Sequence, residues 1–235
     1  MAGYQPTVPP EVVARIRAWH ERAYADLRQR DESQAVSCLG RTFVVPAQVF
    51  PPLSDMLGTA VLSEVRVSDR VLDMGTGSGL NAILAASRAA HVVAVDINPA
   101  AVQCARQNAA TNGVGSRIEF LESDVFARVK GSFDLIVFDP PFRWFAPRDT
   151  LEAAIADEDY GALTRFMRDA PSRLRGGGRI LLFFGTSGDL GYLLGLIDRS
   201  GLAREVVSTQ TLVRDDWTVD YYVFRLTTPP GATRV

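Results

Sequence analysis

The stretch V-L-D-M-G-T-G-S-G-L (71–80) decides the architecture of this chain. A short apolar run gives way to three alternating glycines and then to residues that favour a helix. Such a turn lets the backbone approach a ligand lying across the carboxyl end of a strand, where a side chain would block it. Gly75, Gly77 and Gly79 read G-x-G-x-G, whereas the dinucleotide fingerprint G-x-G-x-x-G would place its third glycine at Leu80. The next apolar run, V-V-A-V-D (92–96), ends in Asp96. An acid about 20 residues past such a loop can accept hydrogen bonds from ribose hydroxyls. The counterpart is F-D-L-I-V-F-D-P-P-F (133–142), a buried-strand pattern ending in Asp139-Pro140-Pro141-Phe142. Two loops at one end of one parallel sheet make a ligand site.

Outward from these landmarks the βα alternation is regular. Strands are expected at 71–74, 92–96, 118–121, 133–138 and 179–184. Helices are expected at 54–64, 80–89, 98–111, 160–174 and 190–200. Ser54 or Asp55 can cap the first of these, Asn98 with Pro99 opens the third, and Gly176-Gly177-Gly178 ends the fourth. Segments 204–209 and 219–226 alternate more strongly and read as an antiparallel edge hairpin joined by a polar segment. Before the sheet, Val12, Ile16, Trp19, Ala23 and Leu27 make one apolar helix stripe, expected to dock on the main domain. Residues 39–50 read as two extended pieces around Pro46, and residues 1–9 as mobile. The resulting division is an N-terminal helical extension with a short hairpin over 1–50, the main domain over 51–228, and a flexible tail over 229–235.

The chain has 235 residues, 47% of them hydrophobic, enough for one sizeable α/β domain with a small addition. A net charge of -2 excludes binding of nucleic acid chiefly by bulk charge. Cys38 and Cys104 match no metal or redox spacing and are expected to be free thiols. With His20 and His91 the only histidines, neither a zinc site nor a Ser-His-Asp triad is expected. No apolar run approaches a membrane span, and the expected location is cytoplasmic.

Taken together, D-x-G-x-G-x-G at 73–79, the acid at Asp96, Asp124-Val125 after the third strand and D-P-P-F at 139–142 resemble the class I S-adenosylmethionine-dependent methyltransferases. The resemblance covers roughly 50–226. It implies a Rossmann-like α/β fold: a seven-stranded, mostly parallel sheet with an antiparallel C-terminal hairpin, plus the N-terminal helical extension. It implies S-adenosyl-L-methionine as cofactor. Asp73, Gly75, Thr76, Gly77 and Gly79 would hold its methionine part, Asp96 with Ile97 its ribose side, and Asp124 with Val125 its adenine.

The tetrapeptide is similar to the [N/D]-P-P-[Y/F/W] motif of amino-methyltransferases, and the physical chemistry agrees. A planar NH2 has a delocalised lone pair. Asp139 and the Pro140 carbonyl can accept its two hydrogens, Pro140 and Pro141 hold the loop in fixed φ without donors, and Phe142 can stack on the flat group. Taken as a whole, the chain most resembles the HemK/PrmC group of release-factor glutamine methyltransferases, with V-F-P-P-x-x-D (49–55) as a further shared feature. It departs from that group in having Asp139 and Phe142 where Asn and Tyr are usual. The implied acceptor is a protein glutamine side chain. The alternatives are a small metabolite or natural product, and an exocyclic base amine of rRNA or DNA, which the low charge disfavours. No membrane partner is expected, and the oligomeric state stays open. Trp144 and Phe145, next to Arg143 and Arg148, either line a substrate pocket or pack under the following helix.

Overall fold

The computed structural model describes residues 4–214 and 217–229. An N-terminal helix, α1 (Pro10–Arg28), leads into a two-stranded hairpin, β1 (Gln34–Cys38) and β2 (Arg41–Val45). Then follow α2 (Met56–Glu64), β3 (Arg70–Met74), α3 (Leu80–Ala86), β4 (His91–Asp96), α4 (Pro99–Thr111), β5 (Ile118–Glu122) and β6 (Phe133–Phe138). The chain continues with α5 (Gly161–Arg173), β7 (Leu174–Gly185), α6 (Leu190–Ser200), β8 (Ala203–Arg214) and β9 (Trp217–Thr227). The seven-stranded sheet has the order β5-β4-β3-β6-β7-β9-β8, parallel from β5 to β7, with β9 antiparallel to both neighbours. This is the expected mostly parallel sheet with its antiparallel edge.

The strand order positions the site. After β3 the chain builds outward through β4 and β5, then returns to lay β6 against the other side of β3. The crevice at the carboxyl ends of β3 and β6 is therefore the topological switch point, where ligands bind in open α/β sheets. The register pairs Met74 with Phe138, so the glycine loop and D-P-P-F leave the sheet side by side. Both faces of the sheet are covered. Leu72, Ile136, Phe166 and Leu196 lie in one apolar core, and Val71, Leu84, Leu135 and Leu181 in the other. Near-continuous apolar strands such as 133–138 follow from burial on both faces.

Several boundaries differ from the sequence reading. The first extended pair is Gln34–Cys38 with Arg41–Val45, turning at Leu39 and Gly40, both with positive φ; the chain after Pro46 is a turn closed by Val49 N–H on the Pro46 carbonyl. Helix α2 starts at Met56 rather than Ser54, and the Ser54 hydroxyl accepts from the Met56 N–H. Helix α3 ends three residues early, where the Ser87 hydroxyl takes up the Leu84 carbonyl. Tyr160 lies in left-handed backbone ahead of α5, whose first amides are capped by the Asp157 carboxylate. Gly176-Gly177-Gly178 do not end the helix, which stops at Arg173, but lie within β7. Residues 210–214 and 217–218 of the expected joining segment are themselves strand, because pairing of β8 with β9 continues out to Arg214 and Trp217.

The α1 stripe docks as expected, with Ile16 and Leu27 buried. Residues 4–9 are not loose. Asp189, fully buried, accepts hydrogen bonds from the Tyr4 hydroxyl at 2.8 Å, the Thr7 N–H at 2.6 Å and the Thr7 hydroxyl. A buried carboxylate must find donors, and here the start of the chain supplies them. The expected tail lies, from residue 230 on, outside the described residues. Among the described residues no helix is long and apolar enough to cross a membrane. Cys38 and Cys104 are free.

Candidate active site

The glycine loop has the conformation its sequence demands. Gly75, Gly77 and Gly79 all have positive φ (69°, 53° and 88°), which L side chains rarely adopt. A Cβ on Gly79 would meet the Ala105 backbone of α4 at 3.0 Å, so this glycine also allows close helix packing. Gly77 has open space in front of it, and a Cβ on Gly75 would lie 3.9 Å from the Asp139 carbonyl oxygen. The first two glycines thus leave their faces clear toward the crevice.

Three carboxylates surround this loop. Asp73, buried, accepts from the Thr76 hydroxyl at 2.6 Å and the Ala82 N–H at 3.1 Å, bracing the loop from below. Burial nevertheless pushes its carboxyl up to about 6, with Asp96 adding to the shift. Asp96 accepts from the Gly77 N–H and the Asn98 N–H, both at 2.9 Å, and burial outweighs these amides to raise it. A carboxylate offers about four acceptor directions, and with the Ile97 amide also bearing on it at least one stays available. Ile97 beside it is 60% exposed, an apolar surface at the mouth of the crevice.

Asp139 is open on its crevice side and crowded on the others. That crowding, and then the charge of Asp73, push its carboxyl up to about 7. No side chain or amide of the described residues hydrogen-bonds it, and no described basic side chain pairs with any of these three acids. Clustered acids with no basic partner raise one another's pKa, and a nearby positive charge would favour their ionised forms.

The D-P-P-F loop is held at its far end. The Phe142 ring packs against Phe183, Phe184 and Tyr221. Its carbonyl accepts from the Tyr160 hydroxyl, which in turn accepts from the Asp189 N–H at 2.8 Å. Gly188 presses against the same carbonyl, leaving no room for a Cβ. Tyr160, Gly188 and Asp189 were invisible to the sequence reading. Their one signal was G-T-S-G-D (185–189) at a strand end, which lies at the same end of the sheet as the two motif loops.

Asp124 and Val125 follow β5 as expected, Val125 with positive φ. The Asp124 carboxylate is engaged by Arg165 at 2.7 Å in an exposed pair, which any ligand there would have to share or displace. Trp144 and Phe145 are packed in the core. Each is 7% exposed and packed, Trp144 on Tyr4 and Tyr160, Phe145 on His20. Their edges also line a cleft of about 480 Å³ with Arg17, Glu21 and Arg148, which includes none of the glycine-loop residues. At its base His20 meets Glu152 at 2.8 Å. Burial alone would raise Glu152, but Arg148 and His20 win and hold it at about 2. Burial pushes His20 below its ordinary range, against the opposing pull of Glu152.

Known proteins resemble the chain over these same parts. The Methyltransferase small domain family matches residues 52–194. A release factor glutamine methyltransferase of Cereibacter sphaeroides is 34% identical over 219 residues, covering 84% of this chain and 75% of that protein. A ribosomal RNA small subunit methyltransferase C of Chromohalobacter salexigens is 42% identical over 113 residues, 48% of this chain and 30% of that one. In fold, Methanocaldococcus jannaschii Trm5, solved in complex with adenosine, superposes with a TM-score of 0.61 at 19% identity, over 86% of this chain and 57% of that one. A switch-point crevice with a glycine loop, a D-P-P-F loop and likeness of that extent have one reading: the chain belongs to the HemK/PrmC-like class I S-adenosylmethionine-dependent methyltransferases.

Proposed function

We propose that the chain methylates the side-chain amide nitrogen of a glutamine in a protein. The observation that carries this is the extent of the likeness to the release-factor enzyme. It spans 84% of the chain, against 48% for the RNA-modifying relative, and so takes in more than the shared catalytic core.

The residues present fit S-adenosylmethionine. Gly75 and Gly77 leave backbone open where its methionine part would lie, Asp96 keeps an acceptor direction free for ribose, and Ile97 offers an apolar face. Asp124 and Val125 stand where the adenine would be expected, and Asp73 with Thr76 and Gly79 shapes the loop. The clustered acids Asp73, Asp96 and Asp139 suit a positively charged sulfur. The chemistry supplied by the bound cofactor is a methyl group on that sulfur. Asp139 and the Pro140 carbonyl orient the acceptor amide by taking its two hydrogens, and Phe142 supports its plane. A carboxyl near 7 is matched to receive the proton the nitrogen gives up at neutral pH.

Asp96→Ala is expected to raise the cofactor dissociation constant about 10- to 100-fold, the worth of losing charge-assisted hydrogen bonds. The fold should stay intact by circular dichroism. Unchanged affinity by calorimetry would remove Asp96 from the ribose role.

The acid limb of the pH profile follows from Asp139. Acceptance needs the carboxylate, so turnover should fall about tenfold per pH unit below about 7 and level off above it. Stability runs the other way. The folded acid holds a proton from pH 3.8 to about 7 that the unfolded acid has lost, so this group's contribution declines as pH rises through that window. Asp139→Asn should therefore melt above wild type at pH 8 and level with it at pH 4. A pH-independent melting difference would assign the shift elsewhere.

The function is tested by methyl transfer from labelled S-adenosylmethionine to purified release factor, to ribosomes and to a protein-free metabolite extract. Label mapped to a glutamine supports the proposal; label only in RNA or only in small molecules overturns it.

A further inference from the structure

Among the described residues two arginines are buried, and they differ. Arg179, 3% exposed, is fully compensated: it meets Glu64 at 3.1 Å, Asp69 at 2.9 Å and the Asp134 carbonyl at 3.0 Å. Arg143, 8% exposed, follows Phe142 directly. Its main chain is pinned by the Asp157 N–H on its carbonyl at 2.8 Å and by a bridge to Ala156. Its guanidinium lies 5.7 Å from the Trp19 ring and within electrostatic reach of the Tyr160 and Tyr221 hydroxyls. Among the described residues no carboxylate pairs with it and no acceptor reaches its buried Nε. A planar fork of donors in a desolvated place, lacking its anion, costs several kcal/mol unless something completes it.

The place is informative. Tyr221 packs on the Phe142 ring and its hydroxyl makes no hydrogen bond among the described residues. Trp19 stacks edge-on against Trp217 at 4.8 Å. Arg143 thus sits in an aromatic enclosure one residue past the loop assigned to the acceptor nitrogen.

We propose that Arg143 is the receptor for a carboxylate carried by the methyl acceptor, a short distance from the nitrogen that is methylated. This deepens the proposed function and rests on it. The acceptor is an acidic one. Its carboxylate is either the α-carboxylate of a chain-terminal glutamine or that of a neighbouring acidic side chain, and both would bind bidentately to the same fork.

The test is binding, read by quenching of the nearby tryptophans and by calorimetry on the full chain with S-adenosylhomocysteine present. One pair of probes is N-acetylglutamine and N-acetylglutamine amide, which differ only in the carboxylate. The other pair is acetyl-Gln-Glu-amide and acetyl-Gln-Gln-amide. In at least one pair the acidic probe should bind wild type about 10- to 100-fold more tightly than its neutral twin. The pair that discriminates identifies the source of the carboxylate. In Arg143→Met, which keeps the apolar stem, the preference should vanish while affinity for S-adenosylhomocysteine holds. Arg143→Lys should restore only part of it, because an ammonium cannot fork. Equal binding within both pairs, no binding of any probe, or a preference that survives Arg143→Met overturns the proposal. Should Arg143→Met fail to fold, the wild-type comparison and Arg143→Lys decide. Because the readout is binding, loss of the preference and absence of glutamine methylation are separate results.

Discussion

Asp139→Ala is expected to lower turnover by about 10²–10⁴-fold while leaving cofactor affinity within a few-fold of wild type. Asp139 is the acceptor in the crevice that no described residue occupies, and its backbone carbonyl borders the open face of Gly75. On the proposed roles, removing the carboxylate would remove a positioning acceptor and the group that receives the proton, both needed more in the transition state than in the ground state. It also relieves Asp73 of a like charge, so the variant should be no less stable than wild type. Single-turnover rates, with cofactor affinity measured in parallel, separate these effects. Near-normal turnover would place the chemistry outside the D-P-P-F loop.

Gly188→Ala is expected to be damaging out of proportion to one methyl group. The added Cβ would stand 2.1 Å from the Phe142 carbonyl oxygen and 3.0 Å from the Phe184 ring. Its nearest obstacle is backbone, which cannot rotate aside. Either the strand-end loop of β7 retreats or the Phe142 carbonyl moves and loses the Tyr160 hydroxyl. Overpacking of this kind costs about 1–3 kcal/mol. A shift of about 1 Å in the reactive loop costs about 10²-fold in rate. A melting-point drop together with a fall in kcat larger than any rise in acceptor KM would match this coupling. An unchanged kcat would show that the two loops act independently.

Much of the site was legible because its signals are local. The three glycines, Asp96 and D-P-P-F each follow directly from an apolar run. In a parallel sheet the ends of successive strands converge whatever the loops between them do. The supports were not legible because they are tertiary. Nothing near Gly188 in sequence announces the Phe142 carbonyl, and the left-handed turn at Tyr160 is forced by the contacts it makes. Length errors had one cause. A glycine triplet and a polar edge both look like breakers in isolation, yet β7 runs through the first, pairing with β6 at Leu174 and again from Arg179, and pairing with β9 carries β8 out to Arg214. Likewise, residues 4–9 read as loose because the acid that binds them lies about 180 residues away.

That last contact has a further consequence. Tyr4 and Thr7 hold Asp189, Asp189 holds Tyr160, and Tyr160 holds the carbonyl at the end of the reactive loop. The first turn of chain and the methyl-transfer loop, far apart in sequence, should therefore open as one cooperative unit. In native-state hydrogen exchange the amides of Thr7 and Asp189 should share a single opening free energy and a single denaturant slope, distinct from frayed ends elsewhere. Loss of Tyr4 and Thr7 is then not a remote change. It is a change one hydrogen-bond relay away from catalysis.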